Sequence, residues 1–285
     1  MSSILSIQSA AEQDLKQRLK VSLGSLAAGI WTQRAKELFR TPTSAPGNIL
    51  DKCLMAYLRS RALNTNAGSF FERLHKEFWQ GDGGGVFASN CGHRFNDLFL
   101  QKQAVEFSVL QNHWSRREHN SIVEFGCSSG LLLNHLVSEL GEVECAYGID
   151  LNQSQIELNR RSPAFDRRIR FECEDAEEWL LRNQPRNSLF VTNGGVLEYF
   201  RRDRLDKIMA LISKECAPAL FLAIEPVAMD HDFDSSIDSI PFGEELSFSH
   251  NYRHLFECNG FHVLHQRPVI FDQWKFMSTL AKVDR

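Results

Sequence analysis

Residues 121–136 read Ser121-Ile-Val-Glu-Phe-Gly-Cys-Ser-Ser-Gly-Leu-Leu-Leu-Asn-His-Leu136, and the rest of the chain is best read outward from them. A short apolar run suited to a buried strand gives way, across Gly126 and Gly130, to leucines at helical spacing. The glycines permit a sharp turn and a close ligand approach, and the first turn of the following helix offers unpaired N–H groups to an anionic or carboxylate-bearing ligand. Such a turn also serves simple packing in many doubly wound sheets, so its spacing has to be consulted. It is neither the G-x-G-x-x-G of nicotinamide and flavin folds nor the G-x-x-x-x-G-K-[ST] of phosphate loops, since no lysine follows.

Downstream, short β-type runs alternate with helix-type runs, which implies a parallel sheet flanked by helices. Strands are expected at 121–125, 143–149, 169–173, 189–192, 219–224, 261–267 and 274–283. Helices are expected at 131–140, 153–161, 176–182, 201–214 and 248–259. The short segment at Pro268 leaves no room for a crossover helix, so the last two strands should be antiparallel neighbours. Upstream the pattern favours helices at 10–39, 49–63, 69–79 and 96–114, the first ended by the Pro- and Gly-containing run 41–47. Two parts follow: a helical N-terminal cap over 1–120 and a sheet domain over 121–285.

The sheet domain resembles the class I S-adenosylmethionine-dependent methyltransferases, whose first motif reads E/D-x-G-x-G-x-G. Here it is Glu124-Phe-Gly126-Cys127-Ser128-Ser-Gly130, with Ser128 in place of the middle glycine. The resemblance implies an α/β, Rossmann-like, seven-stranded and mostly parallel sheet with an antiparallel last strand, and S-adenosyl-L-methionine as cofactor. It implies that the glycine turn meets the methionine part of that cofactor and that Glu124 helps hold its amino group. By the same resemblance Asp150, followed by Leu151, closes the second strand as the ribose-binding acid, and Asp175-Ala176 contacts the adenine. Asp175 reads equally well as the N-cap of the helix beginning at Ala176, and the two roles are compatible. Asn193 and Gly194, in Thr192-Asn-Gly-Gly-Val-Leu-Glu-Tyr199, match the loop beside the sulfonium and the acceptor.

Methyl transfer from a sulfonium is an in-line displacement, which needs alignment, exclusion of water and, for a protonated acceptor, a base. Candidates near the sheet's carboxyl edge are Glu198 and Tyr199, Glu225 at the end of the fifth strand, and His250 with His254 on the expected helix 248–259. His250 ranks first because imidazole titrates nearest working pH, against the alternative of a hydrogen-bonded packing histidine. His250 and His254 also have a metal-ligand spacing, with His231-Asp-Phe-Asp234 as an oxygen source, but no H-E-x-x-H pattern accompanies them and no metal is expected. Phe70, Phe71, Phe78, Trp79, Phe87 and Phe95 surround Gly81-Asp-Gly-Gly-Gly85. They fit core packing, or a lid hinged on the glycines with Trp79 or Phe87 lining an acceptor pocket and Arg94 meeting the cofactor carboxylate.

The chain of 285 residues, 43% hydrophobic and 24% charged, has ordinary globular usage, and a net charge of −4 gives no basic excess of the kind that marks nucleic-acid binders. Seven dispersed cysteines without a C-x-x-C pair fit a reducing cytoplasm better than a disulfide framework. The uncharged stretch 21–31 is too short to span a bilayer, and no signal peptide or anchor is read. The expected partner is a small-molecule acceptor, methylated at oxygen rather than nitrogen, because Asn193-Gly-Gly-Val196 stands where base-methylating relatives carry N/D-P-P-F/Y/W. Neither nucleic acid nor membrane is expected as a partner, and helical extensions of this kind commonly mediate homodimers. Two other classes compete: a catalytically silent cofactor-binding subunit and a nucleotide-dependent oxidoreductase.

Overall fold

The computed structural model describes residues 2–40, 48–64, 68–81, 88, 91–115, 117–243, 247–271 and 274–284, with some helical side chains excepted. The expected helix stop at 41–47, the glycine-loop residues 82–85, Phe87, and the side chains of Phe70 and Phe71 lie outside the described residues. The chain divides into two compact units, one up to Phe78 and one from Trp79 onward.

The first unit is helical: α1 (Ser2–Ile30), α2 (Thr32–Arg40), α3 (Ile49–Asn64) and most of α4 (Gly68–Gln80). The single helix expected over 10–39 is interrupted at Trp31. α1 and α3 touch backbone to backbone at Gly24, where a Cβ would stand 1.9 Å from the Cys53 carbonyl oxygen. Ala27, Ala35, Leu38, Leu54 and Met55 form the core. Buried Asp51 is held by a two-pronged pair with Arg34, at 3.1 and 2.6 Å, the geometry that best offsets desolvation of a carboxylate.

The second unit is built on a seven-stranded sheet in the order β3-β2-β1-β4-β5-β9-β8. Its strands are β1 (Ser121–Phe125), β2 (Cys145–Asp150), β3 (Ile169–Cys173), β4 (Ser188–Asn193), β5 (Ala219–Val227), β8 (His262–Phe271) and β9 (Trp274–Val283). Only β9 runs against its neighbours, as the short connection after β8 requires. β1 lies between β2 and β4, so strand order reverses there and a crevice opens at the carboxyl edge. β5 continues past the expected residue 224 because β9 pairs with it as far as Val227.

Both sheet faces are covered, which is why β1, β4 and β5 are buried and mostly apolar along their length rather than alternating, with Glu124 and Glu225 as buried exceptions. One face packs on α9 (Ala176–Asn183), α10 (Arg202–Glu215) and α11 (Tyr252–Cys258), through Trp179, Leu205, Ile212, Tyr252 and Phe256. The other packs on α7 (Leu131–Glu139), α8 (Gln153–Arg161) and two helices from the region expected as cap. These are α5 (Arg94–Lys102), wound as a π-helix, and α6 (Ala104–His113), whose Leu98, Phe99 and Leu110 join the core of the sheet. The single helix expected over 96–114 breaks at Gln103, whose buried Oε1 accepts the Ser278 hydroxyl of β9 at 2.6 Å.

The insertion after β5 contains a two-stranded ribbon absent from the sequence reading, β6 (Ile240–Phe242) with β7 (Ser247–Ser249). The helix expected from 248 therefore starts only at Tyr252, capped by Asn251, whose Oδ1 accepts the His254 N–H at 3.1 Å. His250 lies before the helix rather than on it.

Candidate functional site

The turn after β1 is held in a strained form. Gly126 has φ +69°, Ser128 +43° and Gly130 +72°, all in the left-handed region. A Cβ at Gly126 would fall 2.5 Å from Val196 Cγ2, so glycine there lets the turn approach the loop after β4. Backbone bonds from the Gly126 and Cys127 N–H groups to the Ile149 carbonyl, at 2.8 and 3.1 Å, bind the turn to β2.

Asp150 at the end of β2 completes the frame. Its Oδ2 accepts the Ser128 N–H and its Oδ1 the Asn152 N–H, each at 2.9 Å. Burial raises its pKa, while the backbone donors pull it back down. Leu151 follows, half-buried, its carbonyl 3.5 Å from the Cys173 thiol. Asn159 of α8, which the sequence reading passed over, donates to the Ser128 carbonyl at 2.7 Å and fixes the turn from behind. Cys127 contributes only backbone to the crevice, because its Sγ packs inward against Gly148.

Glu124 is 4% exposed, and burial pushes its carboxyl well above the usual range although the Leu133 N–H faces it. Its Oε2 has no hydrogen-bond partner, and neither has Oδ1 of Asn193, two residues beyond the Glu124 partner Val191 on β4. Side chains alternate along a strand, so Glu124 and Asn193 share a sheet face. Two buried oxygens without donors beside a strained turn are what a ligand carrying an ammonium or amide N–H would satisfy.

The loop after β4 is held from two sides. Arg94 of α5 donates from Nη1 to the Gly194 carbonyl at 3.1 Å. Glu225, inside β5 and fully buried, accepts the Val196 and Leu197 N–H groups through Oε2 at 2.9 and 3.0 Å. Burial pushes this carboxyl up to about 7 against the pull of those donors. Glu198, 5% exposed, lies in the short helical turn that follows, its Oε1 2.4 Å from where a Cβ on Gly195 would be.

Trp79 and Gly81 bring a further segment to the same edge. The Asn152 amide donates to the carbonyls of Gly81, at 3.1 Å, and Trp79, at 3.4 Å. The Trp79 ring meets Tyr199 with centroids 5.4 Å apart. Residues 79–81 are thus tied both to the end of β2 and to the loop after β4, the two flanks of β1. Neither tie is legible in sequence, since both join positions more than seventy residues apart.

Asp175 is the N-cap of α9, its Oδ1 accepting the Glu177 and Glu178 N–H groups at 3.1 and 3.4 Å. The same oxygen takes Nη2 of Arg204 at 2.8 Å, and Arg204 also pairs with Glu177 and lies over the Phe200 ring. Ala176 packs partly buried on the core. Arg204 was not singled out from the sequence, because nothing in α10 marks one arginine above its neighbours.

The histidine candidates do not gather at the crevice. His250 is fully buried; its Nδ1 accepts the Ser239 hydroxyl at 2.6 Å, and its Nε2–H donates to the Phe200 carbonyl at 3.1 Å. Burial, with Arg202 nearby, lowers its pKa to about 3, and both nitrogens are engaged within the fold. This placement speaks for a hydrogen-bonded packing histidine over the general base expected at His250. His254 stands on α11 beside Cys258, its Nε2 3.3 Å from the thiol. His231 binds the Ser249 hydroxyl at 2.8 Å. Among the described residues no group of three or more His, Cys, Asp or Glu side chains is placed to hold a metal ion, and no helix is long and apolar enough to cross a membrane.

Residues 122–219 match a family model described as a methyltransferase domain, about a third of the chain. No match is found among curated proteins. Among solved structures, magnesium protoporphyrin IX methyltransferase of Synechocystis PCC 6803 with bound SAH superposes with a TM-score of 0.54 at 12% identity, over 75% of this chain and 100% of the other. A SAM-dependent methyltransferase of Leishmania major gives a TM-score of 0.54 at 13% identity, over 74% and 83%. The Haloferax volcanii complex of the Trm112 activator with a methyltransferase described as putative gives 0.51 at 14% identity, over 70% and 97%. At these identities the likeness concerns the fold.

Proposed function

We propose that this chain, which has the class I S-adenosylmethionine-dependent methyltransferase fold, uses S-adenosyl-L-methionine to methylate a small-molecule acceptor, at oxygen in preference to nitrogen. The observation that carries the reading is the pair of buried, donorless oxygens of Glu124 and Asn193 beside a strained glycine turn that Asp150 pins in place.

The residues present fit such a cofactor. Glu124 and Asn193 would receive its amino group, and Arg94, already at the Gly194 carbonyl, its carboxylate. The remaining lone pairs of Asp150 would receive the ribose hydroxyls. Asp175 and the backbone at Ala176 would border the adenine, with Asp175 still capping α9. When bound, the cofactor supplies an electrophilic methyl group on a sulfonium.

The chain's own part is alignment and dryness. Glu225 and Arg94 hold the loop after β4 from opposite sides, and a fixed wall is what an in-line displacement needs to keep donor and nucleophile within reach. Trp79 against Tyr199 sets apolar surface at the same edge, which favours exclusion of water. With His250 engaged elsewhere, the role of proton acceptor passes to Glu198, on the loop bordering the acceptor side. An apolar edge of this kind, with no basic excess in the chain, favours a small acceptor over a polymeric nucleic acid.

Calorimetry with S-adenosylmethionine and with its demethylated product tests the reading. Saturable heat from both, reduced in Glu124→Gln and Asn193→Ala, is the expected result; no heat from either ligand overturns it.

A further inference from the structure

α1 carries an apolar stripe on the side turned away from α3. Leu15, Leu19, Leu23, Leu26 and Ile30 are 55–71% exposed. They recur at intervals of four, four, three and four, which places all five within an arc of about 80° on a helix of 3.6 residues per turn. Gly24 and Ala27, which pack toward α3 and the core of the unit, lie on a different face. Ser22 and Gly29 border the stripe, and a Cβ at Gly29 would meet nothing within 4 Å, so a second backbone could come close there.

Five large aliphatic side chains at this exposure amount to roughly 500–600 Å² of contiguous apolar surface, the top of the range for a monomer. The bordering small residues and the methylene stem of Lys16 bring the face toward the ~800 Å² per partner that a stable interface buries. The stripe is also its own complement. In an antiparallel pairing Leu15 lies opposite Ile30, Leu19 opposite Leu26, and Leu23 beside its twin near the axis, the isologous contact of a two-fold dimer. Charge favours the same direction. Glu12, Asp14, Lys16, Arg18 and Lys20 all precede the uncharged residues 21–31, so a parallel pairing would set each charge against its twin, whereas an antiparallel one sets it beside the uncharged half of the partner.

We propose that a second copy of this chain covers the stripe, α1 packing antiparallel on its twin to form a two-fold homodimer. The full chain should sediment as a dimer at tens of micromolar, and Leu19→Glu/Leu26→Glu should sediment as a monomer with unchanged circular dichroism. Because Leu23 lies near the axis, Leu23→Cys should form an intermolecular disulfide on mild oxidation well beyond the yield of the parent chain. A monomeric parent chain overturns the proposal, as does a dimer that survives the double substitution. A monomer that pellets with phosphatidylglycerol vesicles through the same leucines also overturns it, in favour of a lipid surface.

Discussion

The carboxyl of Glu225 and the backbone N–H of Val196, 29 residues apart in sequence, are joined by a 2.9 Å hydrogen bond. Through it a fully buried acid in the fifth strand fixes the loop leaving the fourth, which itself leans on the glycine turn at Gly126.

This acid should leave a mark on stability. Its carboxyl ionises near 7 in the folded chain and near 4.5 when exposed, so between these values the folded state binds more protons than the unfolded one. Stability should therefore fall as pH rises through that window, by an amount of the order of 3 kcal/mol. Glu225→Gln keeps an oxygen for the Val196 and Leu197 N–H groups but cannot ionise. Thermal melts at pH 5 and pH 8 should differ less for the variant than for the parent, and an equal slope in both would contradict the assignment.

His250 should act with the opposite sign. Held near 3 in the fold and near 6.5 when unfolded, it contributes stability that is complete above about 6.5 and lost as pH falls toward 3. His250→Gln should flatten the acid limb of a stability profile while leaving the pH profile of turnover in place. Loss of turnover with an intact melt would restore the histidine as a catalytic residue.

Asp150→Ala removes the acceptor for the Ser128 and Asn152 N–H groups along with the proposed ribose contact. Affinity for the demethylated cofactor should weaken by about 10–100-fold, the scale of one or two charge-assisted bonds. Calorimetry on protein of verified fold reads this, and unchanged affinity would remove Asp150 from the cofactor site.

Gly126→Ala brings a Cβ within 2.5 Å of Val196 Cγ2 at a φ of +69°. The substitution should cost about 1–3 kcal/mol. Adding Val196→Ala relieves the clash but not the backbone strain, so denaturant titration of the pair should show partial recovery and a non-additive coupling.

Glu198→Gln should lower kcat with little change in KM for the acceptor if Glu198 takes the proton. A rise in KM at constant kcat would assign it to binding instead.

Much of this was open to inspection in one dimension. Gly126 and Gly130 between an apolar strand and a leucine-periodic helix, Asp150 at the next strand end and Asp175 before Ala176 are local signals, because turns, caps and strand ends are written over a few adjacent residues. The antiparallel last strand followed from a connection too short for a crossover. The roles of His250 and Glu225 were not legible in this way. One was expected to work at the crevice and is instead locked between Ser239 and Phe200; the other was a candidate base and proves to hold a loop. Burial and partners taken from distant strands set the ionisation and availability of a side chain, and those depend on which segments fold against it. Sequence determined where the chain turns; the packed tertiary structure alone decided which polar groups face the crevice and which are consumed in holding it together.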